Sequence, residues 1–545
     1  MGRQMVRRAG LVASGLVVGL VTVPVSAGAV PLRPSAPTPS VQLIWSRNLD
    51  QWSLPNVVAQ SSPVEAFLGG PSNAPTPDVV VGDRSGNLFA LDLATGHNLL
   101  NNTPVLFKSQ LPIDSPPSST ILPSASYSTV FVGLGNRGAS CSSIGGYLAV
   151  THTGGTFWHK QGSNPVTDTL CAHSTVMSGI TLAALQGGVL DAVAPSLGQG
   201  ETAFTAATGT PLKGWNFWYQ ADSSVSTPAV ARLNPSSSTL SVIEGGDSTA
   251  GLSYGVTYQN GGHVRIIKAA GNGGTLGPGG TVCSWDTYAN GGQIVESSPA
   301  VGNFLTKAQG TVGIASGMGY YPGPPTFGGS SNTIFVLNSS CQKIWRSSTD
   351  YETDSPILAD VTGSGKLDVI VGTQDVSKDG GAATANGSVY AFDAATGQQL
   401  WHVHTGAVIG SPVAADLTGS GYADVVVNTV DADTGYGGTQ IIDGKTGSVV
   451  WRNISGNNPD IVGQNSPLIT ADPNGTIGLT IAGYAGELPG SSHCPGSQQG
   501  ICLASEVAHY ELPGSSSTWL THPLTSWLEF HHDTQLSGNV NGPGG

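Results

Sequence analysis

Short apolar runs separated by Gly-rich turns recur along the chain. In residues 355–373, SPILADVTGSGKLDVIVGT, two apolar runs flank the turn TGSG. The second run is rich in Val and Ile, as expected of a strand that is buried on both faces. GSVYAFDAATGQQLWH, residues 387–402, then alternates around aromatic residues and adds two more strands. Each unit therefore predicts four short strands joined by turns in which Gly supplies a positive φ.

This unit repeats along the chain. SPVAADLTGSGYADVVVNT starts at Ser411, and GTQIIDGKTGSVVWRN follows it at residues 438–453. With the weaker copies included, units begin near residues 62, 115, 174, 227, 298, 355, 411 and 466. Four antiparallel strands repeated around a ring make a β-propeller. We predict an all-β propeller of eight blades over residues 41–538, with seven blades as the alternative because the units near residues 174 and 227 are weakly marked.

Segments at both ends of the repeat compete to close the ring. The unit that starts near Ser466 has a degraded fourth strand, and VQLIWSRNL at residues 41–49 resembles an orphan fourth strand. We predict that this N-terminal strand completes the last blade. TWLTHPLTSWLEFHHD, residues 518–533, is the competing candidate for that place, or it packs over the closure.

The first 29 residues have the pattern of a signal peptide. Three Arg residues in the first eight positions precede an apolar run that ends in small residues. A Pro-rich linker follows at residues 30–40, and residues 539–545 form a Gly-rich tail. A permanent membrane anchor is the alternative, since the run is near the lower length limit of one. We predict a secreted or cell-surface protein with no membrane span after cleavage, exported by either the general secretory or the twin-arginine route.

Composition excludes one class of partner. Only 10% of residues are charged and 77 of 545 are Gly, which suits strands and turns better than amphipathic helices. The formal net charge is −14, with 20 Lys and Arg residues in total. Because so few cations cannot neutralise a row of phosphates, nucleic acid is excluded. A protein, a peptide or a glycan remains as the partner.

The cysteines suggest disulfides. An even number in an exported chain favours three bridges, each closing a local loop, although the sequence does not prove the connectivity. Metal ligation is the alternative, but no CxxC spacing supports it. The six residues form three pairs of sequence neighbours: Cys141 and Cys171, Cys283 and Cys341, Cys494 and Cys502.

Two motifs resemble those of known propeller families. AFDAATGQQLW resembles the docking repeat of pyrroloquinoline-quinone (PQQ)-type propellers, with Gln398 in place of the usual Lys. A second copy begins with Ile441 where the family has Ala. The resemblance implies structural roles, in which the Trp packs between blades and the Asp and Gly build the turn. The matching residues are Ala391, Asp393, Gly397 and Trp401, then Asp443, Gly447 and Trp451.

SPILADVTGSGKLDVIVGT also resembles an integrin-type FG-GAP repeat, which implies a calcium loop with oxygen ligands at positions 1, 3, 5 and 9. Here the outer carboxylates remain and the inner ones are hydroxyls, so Ca²⁺ would need backbone carbonyls and water as well. The alternative is an Asp that accepts backbone N–H bonds across a tight turn. The two candidate sets are Asp360, Thr362, Ser364 and Asp368, and Asp416, Thr418, Ser420 and Asp424.

The PQQ-type resemblance also raises the question of an enzyme. PQQ-dependent dehydrogenases commonly place two adjacent Cys residues against the cofactor, whereas no two Cys residues are adjacent here. PQQ is therefore not expected. His531 and His532 suggest zinc or acid–base chemistry, but adjacent residues on a strand point to opposite faces. WLEFHHDTQLSG, residues 527–538, instead resembles a segment found at one end of such propellers. The sequence thus favours a non-catalytic binding or scaffold module.

The binding surface is predicted at the channel mouth and the loops. Residues just before each Ser-Pro pair begin the innermost strand of a blade, so they surround one mouth of the channel. This rim contains Asp114, Glu296, Asp354 and Asn465 and would favour a cation or a polar peptide. Three alternatives remain, a PQQ-dependent oxidoreductase, a calcium-stabilised adhesion protein and a carbohydrate-binding propeller. In the last of these, the residues that stack on sugars would be Trp215, Trp218, Tyr219, Tyr320 and Tyr321.

Overall fold

Val- and Ile-rich runs become the buried second strands of the blades, as their pattern predicts. In the strands Asp78–Gly82 and Ser128–Leu134 every residue is buried. The computed structural model describes residues 38–53, 57–69, 77–100, 102–135, 145–161, 175–222, 224–234, 236–290, 292–319, 331–375, 386–430, 437–454, 461–463, 465–485 and 504–542. The predicted signal peptide, the linker up to residue 37 and the last three residues of the predicted tail lie outside this set.

The described residues form an all-β propeller of eight blades with four main strands each, and in blades 1 to 7 these strands follow in sequence order from the channel outward. After β1 (Gln42–Asn48) and the one-turn helix α1 (Asp50–Ser53), blade 1 contains β2 (Val64–Ala66), β3 (Asp78–Gly82), β4 (Asn87–Asp92) and β5 (Val105–Lys108). Blade 2 contains β6 (Ser118–Ile121), β7 (Ser128–Leu134), β8 (Gly146–Val150) and β9 (Thr156–Lys160). Blade 3 contains β10 (Thr181–Ala183), β11 (Asp191–Pro195), β12 (Gly200–Thr205) and β13 (Trp218–Tyr219).

Blade 4 carries an extra hairpin between its second and third strands. It contains β14 (Ala229–Ala231), β15 (Ser241–Ser248), the hairpin β16 (Gly251–Ser253) and β17 (Val256–Tyr258), then β18 (Gly261–Lys268) and β19 (Thr281–Asp286). A 3₁₀ turn, Tyr288–Asn290, leads to blade 5, which contains β20 (Ala300–Asn303), β21 (Val312–Met318), β22 (Thr333–Asn338) and β23 (Lys343–Ser348).

Blades 6 and 8 each gain a two-residue strand beside the innermost one. Blade 6 contains β24 (Glu352–Thr353), β25 (Ile357–Ala359), β26 (Asp368–Gln374), β27 (Ser388–Asp393) and β28 (Gln399–His404). Blade 7 contains β29 (Val413–Ala415), β30 (Asp424–Val430), β31 (Gly437–Ile442) and β32 (Val449–Ile454). Blade 8 contains β33 (Ile461–Val462), β34 (Leu468–Ala471), β35 (Ile477–Ala485) and β36 (Ala504–Leu512).

The N-terminal strand closes the ring, as predicted. β1 pairs antiparallel with β36, from Gln42 opposite Glu511 to Asn48 opposite Glu506, and so becomes the outer strand of blade 8. On the inner side, β34 of blade 8 contacts β2 of blade 1. The first and last parts of the propeller are therefore held together by strand pairing, which removes an exposed sheet edge.

A Trp on the outer strand docks most blades onto the next one. Trp401 Nε1 donates to the Gly444 carbonyl at 2.6 Å, and Trp345 Nε1 donates to the Ala394 carbonyl at 2.7 Å. Trp45 of β1 makes the same bond to Leu93 in blade 1 at 2.8 Å. These contacts agree with the structural role that the PQQ-type resemblance implies.

The turn of the docking motif is built by its Asp and Gly residues. The Asp393 carboxylate accepts the backbone N–H of Thr396 at 2.8 Å, and Asp443 accepts that of Thr446 at 2.8 Å. Gly397 has φ +74°, in the left-handed region that favours Gly. Trp451, on the outer strand of blade 7, contacts the Tyr510 ring with a centroid distance of 5.9 Å.

The C-terminal residues line the inside of the propeller instead of supplying an outer strand. After a 3₁₀ helix, Ser517–Thr521, residues 524–540 run around the channel, and we call them the C-terminal ring. The ring accepts backbone N–H bonds from the inner strands of successive blades. These bonds join Asp360 to Leu524, Ala414 to Trp527, Ile469 to Leu528, Ser119 to Thr534, Leu182 to Gln535, Val230 to Ser537 and Val301 to Gly538. The remaining blade, blade 1, is contacted by Glu529, which accepts the backbone N–H of Glu65.

One predicted disulfide is seen. Cys283 on β19 is bonded to Cys341, in the turn after β22, with a Cα–Cα distance of 5.8 Å. It joins blades 4 and 5 to each other, and the predicted pairing of these two cysteines is confirmed. The other four cysteines lie outside the described residues.

The described residues contain only short helical turns. None of their helices is long and apolar enough to cross a membrane.

Candidate functional site

The channel mouth is a cavity of about 240 Å³ at the start of the inner strands. All four predicted rim residues line it: Asp114, Glu296, Asp354 and Asn465. Phe530 of the C-terminal ring is the only aromatic side chain among the described residues that line it. The fold thus gathers residues from distant blades because each blade contributes the same position of its repeat.

Ser residues of the Ser-Pro stretches connect neighbouring blades around this mouth. Ser115 Oγ donates to the Ser178 carbonyl at 2.8 Å, and Ser411 Oγ donates to the Ser355 carbonyl at 2.9 Å. Ser61 Oγ similarly donates to the Ser115 carbonyl at 3.0 Å. The Ser-Pro repeat therefore marks inter-blade hydrogen bonds, a role that the sequence alone did not reveal.

Asp114 is neutralised by a residue that the sequence analysis missed. Arg84 Nε lies 2.9 Å and 3.0 Å from the two oxygens of the Asp114 carboxylate. Asp114 is 1% exposed, whereas the Arg84 side chain is 34% exposed. Arg84 therefore compensates a buried charge from the solvent side of the mouth.

Glu296 and Asp354 carry the remaining acidity of the mouth. Asp354 Oδ1 accepts the backbone N–H of Ser355 at 2.7 Å and its hydroxyl at 3.1 Å. Burial, together with a smaller effect of the nearby Glu296, raises the pKa of Asp354 to about 6. Among the described residues that line the mouth there is no Lys, Arg or His. A cation that enters would therefore meet the carboxyl groups of Glu296 and Asp354.

Asn465 has a different role from the three acids. Its Nδ2 donates to the Ser61 carbonyl at 2.9 Å, and its Oδ1 accepts from Asn428 Nδ2 at 3.1 Å. These bonds link blade 8 to blades 1 and 7. Asn465 therefore positions the rim and is less available to a ligand than the acids.

The two candidate calcium loops are tight turns organised by their first Asp. The Asp360 carboxylate accepts the backbone N–H groups of Ser364 at 3.0 Å and Gly365 at 2.6 Å. Thr362 Oγ1 lies 3.1 Å from Asp360 Oδ1 and 3.4 Å from Asp368 Oδ2. Asp416 accepts the corresponding bonds from Ser420 and Gly421 at 2.9 Å and 2.8 Å. The turn role is thus present in both loops.

The last Asp of each loop, Asp368 or Asp424, is buried. Burial, with a smaller effect of Asp360, raises the pKa of Asp368 to about 7. Burial, with a smaller effect of Asp443, raises the pKa of Asp424 to about 8. Asp424 Oδ2 has no hydrogen-bond partner among the described residues. No group of three or more His, Cys, Asp or Glu side chains in the described part of the chain is arranged to hold a metal. Two carboxylates and a hydroxyl converge, fewer than the six oxygens that calcium needs, so calcium binding stays a prediction.

The aromatic residues proposed to stack on sugars are core residues where they are described. Trp215 and Trp218 are fully buried and donate to the carbonyls of Ala269 and Gly279 at 2.7 Å and 2.8 Å. Tyr219 is also buried. Of the two interpretations of these residues, sugar stacking and blade packing, the burial supports blade packing, because the rings fill the space between blades 3 and 4. Tyr320 and Tyr321 lie outside the described residues.

PQQ fits the mouth poorly. The quinone carries three carboxylates, and the described lining of the mouth offers the acids Glu296 and Asp354, while Asp114 is already paired with Arg84. Like charges in a partly buried site repel each other. We therefore derive no redox step for this cavity.

Comparisons with known proteins agree with the fold. Residues 289–476, about a third of the chain, match the family model of the outer membrane protein assembly factor BamB. No curated protein matches the chain. The eight four-stranded blades make the protein an all-β propeller, and its matched segment is similar to the BamB family.

Solved structures are similar in fold at low identity. A europium-containing methanol dehydrogenase is 11% identical, with 87% of this chain and 93% of that chain covered and a TM-score of 0.52. The quinohemoprotein alcohol dehydrogenase ADHIIG from Pseudomonas putida HK5 is 12% identical, with 88% and 77% covered and a TM-score of 0.51. BamB from Moraxella catarrhalis is 13% identical, with 87% and 100% covered and a TM-score of 0.46. At these identities the likeness shows the propeller fold and no activity.

Proposed function

We propose that this protein is an exported, non-catalytic scaffold propeller that binds a partner protein by accepting one of its basic side chains in the channel mouth. The observation that carries this proposal is the acidic lining of the cavity, to which Glu296 and Asp354 contribute two carboxyl groups. Such a pair favours a cation, and Phe530 offers an apolar contact for the stem of Lys or Arg.

The size of the mouth supports a side chain over a metabolite. Its volume of about 240 Å³ is below the roughly 300–1,000 Å³ typical of small-molecule sites. One extended basic side chain fits such a space. A buried anchor of this kind can dominate the affinity of a protein interface, while the surrounding loops supply complementarity.

Two further observations support a partner protein and an exported location. The family model that matches residues 289–476 is named for an assembly factor. The bond between Cys283 and Cys341 is of the kind that persists in oxidising compartments outside the cytoplasm. The N-terminal signal pattern supports the same location.

A peptide pair tests the proposal. We expect Ac-Gly-Lys-Gly-amide to bind the purified mature protein in calorimetry at low salt, and the same peptide with acetyl-lysine to bind at least tenfold more weakly. Glu296→Gln with Asp354→Asn should abolish the preference for the charged peptide. Glu511→Gln, on the outer part of blade 8, is the matched control. Equal binding of both peptides, or an unchanged preference in the double variant, would contradict the proposal.

A visible absorption spectrum of the purified protein tests the oxidoreductase alternative. The scaffold proposal expects no quinone band after mixing with PQQ and desalting. A retained band at one equivalent would instead favour the PQQ-dependent alternative.

A further inference from the structure

A second cavity, of about 620 Å³, lies between the C-terminal ring and the inner strands of blades 8 and 1. We call it the ring pocket. It differs from the channel mouth in its residues, since the two share none among those that line them. Its volume is within the range of small-molecule sites. Most of its wall is apolar and is formed by Leu468, Ile469, Leu520, Pro523, Leu528 and Val540.

Glu529 is the unusual residue of this pocket. It is 4% exposed and lines the cavity, and its carboxyl group accepts the backbone N–H of Glu65. Its Oε2 has no hydrogen-bond partner among the described residues. A buried carboxyl oxygen without a partner is costly. A donor from a ligand in the pocket would remove that cost.

A second carboxyl group, that of Glu65, lines the same pocket. Burial, together with a smaller effect of the nearby Asp472, raises the pKa of Glu65 to about 7. Burial also raises the pKa of Glu529 well above its usual value, and Asp533 adds to the effect. The two groups thus lie in an environment that lacks positive charge.

The neighbouring polar residues are already paired with each other. His532 Nδ1 lies 3.0 Å from Asp533 Oδ2, and Asp533 Oδ1 accepts the backbone N–H groups of Gln535 and Ser537 at 3.1 Å each. The only basic side chain among the described lining residues is His532. It is engaged with Asp533, so it does not compensate Glu65 and Glu529.

We propose that the ring pocket binds a primary ammonium ion with an apolar body. The ammonium group would donate to Glu529 Oε2 and compensate the charge that Glu65 and Glu529 carry when ionised, since charge-assisted bonds of this kind are strong in a buried site. The apolar body would contact the leucine-rich wall. A quaternary ammonium ion lacks the N–H donor that Oε2 requires, so a primary amine fits better.

Benzylamine is the probe, and benzyl alcohol is its neutral counterpart of the same shape. We expect benzylamine to saturate one site of the purified mature protein in calorimetry, and benzyl alcohol to bind at least tenfold more weakly. Glu529→Gln keeps the shape of the side chain and should weaken benzylamine binding at least tenfold. Glu511→Gln, outside both cavities, is the control and should bind as the native protein does.

Three outcomes would overturn the proposal. The first is equal binding of benzylamine and benzyl alcohol, which would mean a cavity that selects only apolar bodies. The second is unchanged binding in Glu529→Gln. The third is binding lost only in Glu296→Gln with Asp354→Asn, which would place benzylamine in the channel mouth. If Glu529→Gln does not fold, as judged by circular dichroism, Glu65→Gln takes its place with the same expected loss.

Discussion

Gly397 shows how one residue holds two blades together. Its φ is +74°, and an added Cβ would lie 2.6 Å from the Trp345 ring of the previous blade. We expect Gly397→Ala to lower the free energy of unfolding by roughly 2–3 kcal/mol, since it combines backbone strain with a clash in a packed interface. Gly365→Ala is the matched control, because φ there is +75° but no atom lies within 4 Å. It should cost only about 1 kcal/mol. Equal shifts in melting temperature would contradict a role for the Trp contact.

Arg84 should matter for stability because Asp114 is buried. We expect Arg84→Ala to destabilise the protein by roughly 1–3 kcal/mol, since it leaves the Asp114 carboxylate without its counter-charge. Asp114→Asn in the same chain should recover most of that loss, because the buried charge is then absent. Thermal melting of the two single variants and the double variant forms the cycle. Additive losses would mean that the two side chains act independently.

These residues mark the limit of what the sequence predicts. The docking Trp and Gly residues could be predicted because their spacing repeats within each blade. Arg84 could not, since it reaches Asp114 through the turn between two strands, 30 positions along the chain, and no repeat marks the pair. The acidic rim was predictable from the position before each Ser-Pro pair. The neutralisation of Asp114 depends on side-chain geometry that no spacing encodes.

At the scale of elements, the loop at residues 360–368 has two compatible roles. Its Asp360 carboxylate organises the turn through backbone N–H groups, while the buried Asp368 has no cationic partner among the described residues. We expect added calcium to raise the melting temperature measured in chelator. Binding to the folded state at about 100 times the dissociation constant adds roughly 2.7 kcal/mol. The shift should disappear when Asp360, Asp368, Asp416 and Asp424 are all replaced by Asn.

Asp92→Asn is the control for the calcium measurement. Asp92 caps a comparable turn in blade 1 by accepting the backbone N–H of Thr95 at 2.8 Å, but it belongs to neither candidate loop. This variant should keep the calcium response of the native protein. Superimposed melting curves with and without calcium would leave Asp360 and Asp416 as turn formers only.

The C-terminal ring is the element that sequence reasoning could not place. An alternation of apolar and polar residues predicts a strand, and the N-terminal β1 was predicted from such a pattern. The ring instead makes a few backbone bonds to each of many blades, for example between Trp527 and Ala414. The blade residues that bond to the ring lie up to hundreds of residues away from it. The sequence of the ring therefore shows no periodic pattern that would predict these bonds. The ring pocket, which depends on that path, was therefore invisible as well.

At the scale of the whole molecule, the fold buries many carboxyl groups whose pKa is raised. Burial is the first cause in each case, and the pKa reaches about 7 for Asp78, Glu244 and Asp368 and about 8 for Asp424. The buried His531 has the opposite shift, to about 4, because burial disfavours its charged form. The fold as a whole therefore holds protons on acids that the unfolded chain has already released.

The sign of the resulting pH dependence follows from proton counts. Histidine in the unfolded chain is half-protonated near pH 6.5 and almost neutral by about pH 7.5. His531, which is neutral in the fold, therefore adds stability as the pH rises over that unit, but the acids with a raised pKa outnumber it. Between pH 6.5 and 8.5 the unfolded chain has ionised its carboxyl groups, whereas the folded chain releases these protons only as the pH passes through 7 to 8. Stability then falls as the pH rises, by at most about 1.4 kcal/mol per pH unit for each proton.

We therefore expect the melting temperature in chelator to decrease from pH 6.5 to pH 8.5. Asp424→Asn should flatten this decrease, because Asn cannot release a proton. The pKa of Asp424, about 8, is higher than those of Asp78, Glu244 and Asp368. Glu511→Gln should keep the native slope, since Glu511 is hydrogen-bonded to Asn474 on the outer part of blade 8. A melting temperature that stays constant or rises over this interval would mean that the buried acids are already ionised in the fold. If calcium binds at the Asp424 loop, it should reduce the dependence of the melting temperature on pH in the native protein. It should then have no effect on that dependence in Asp424→Asn.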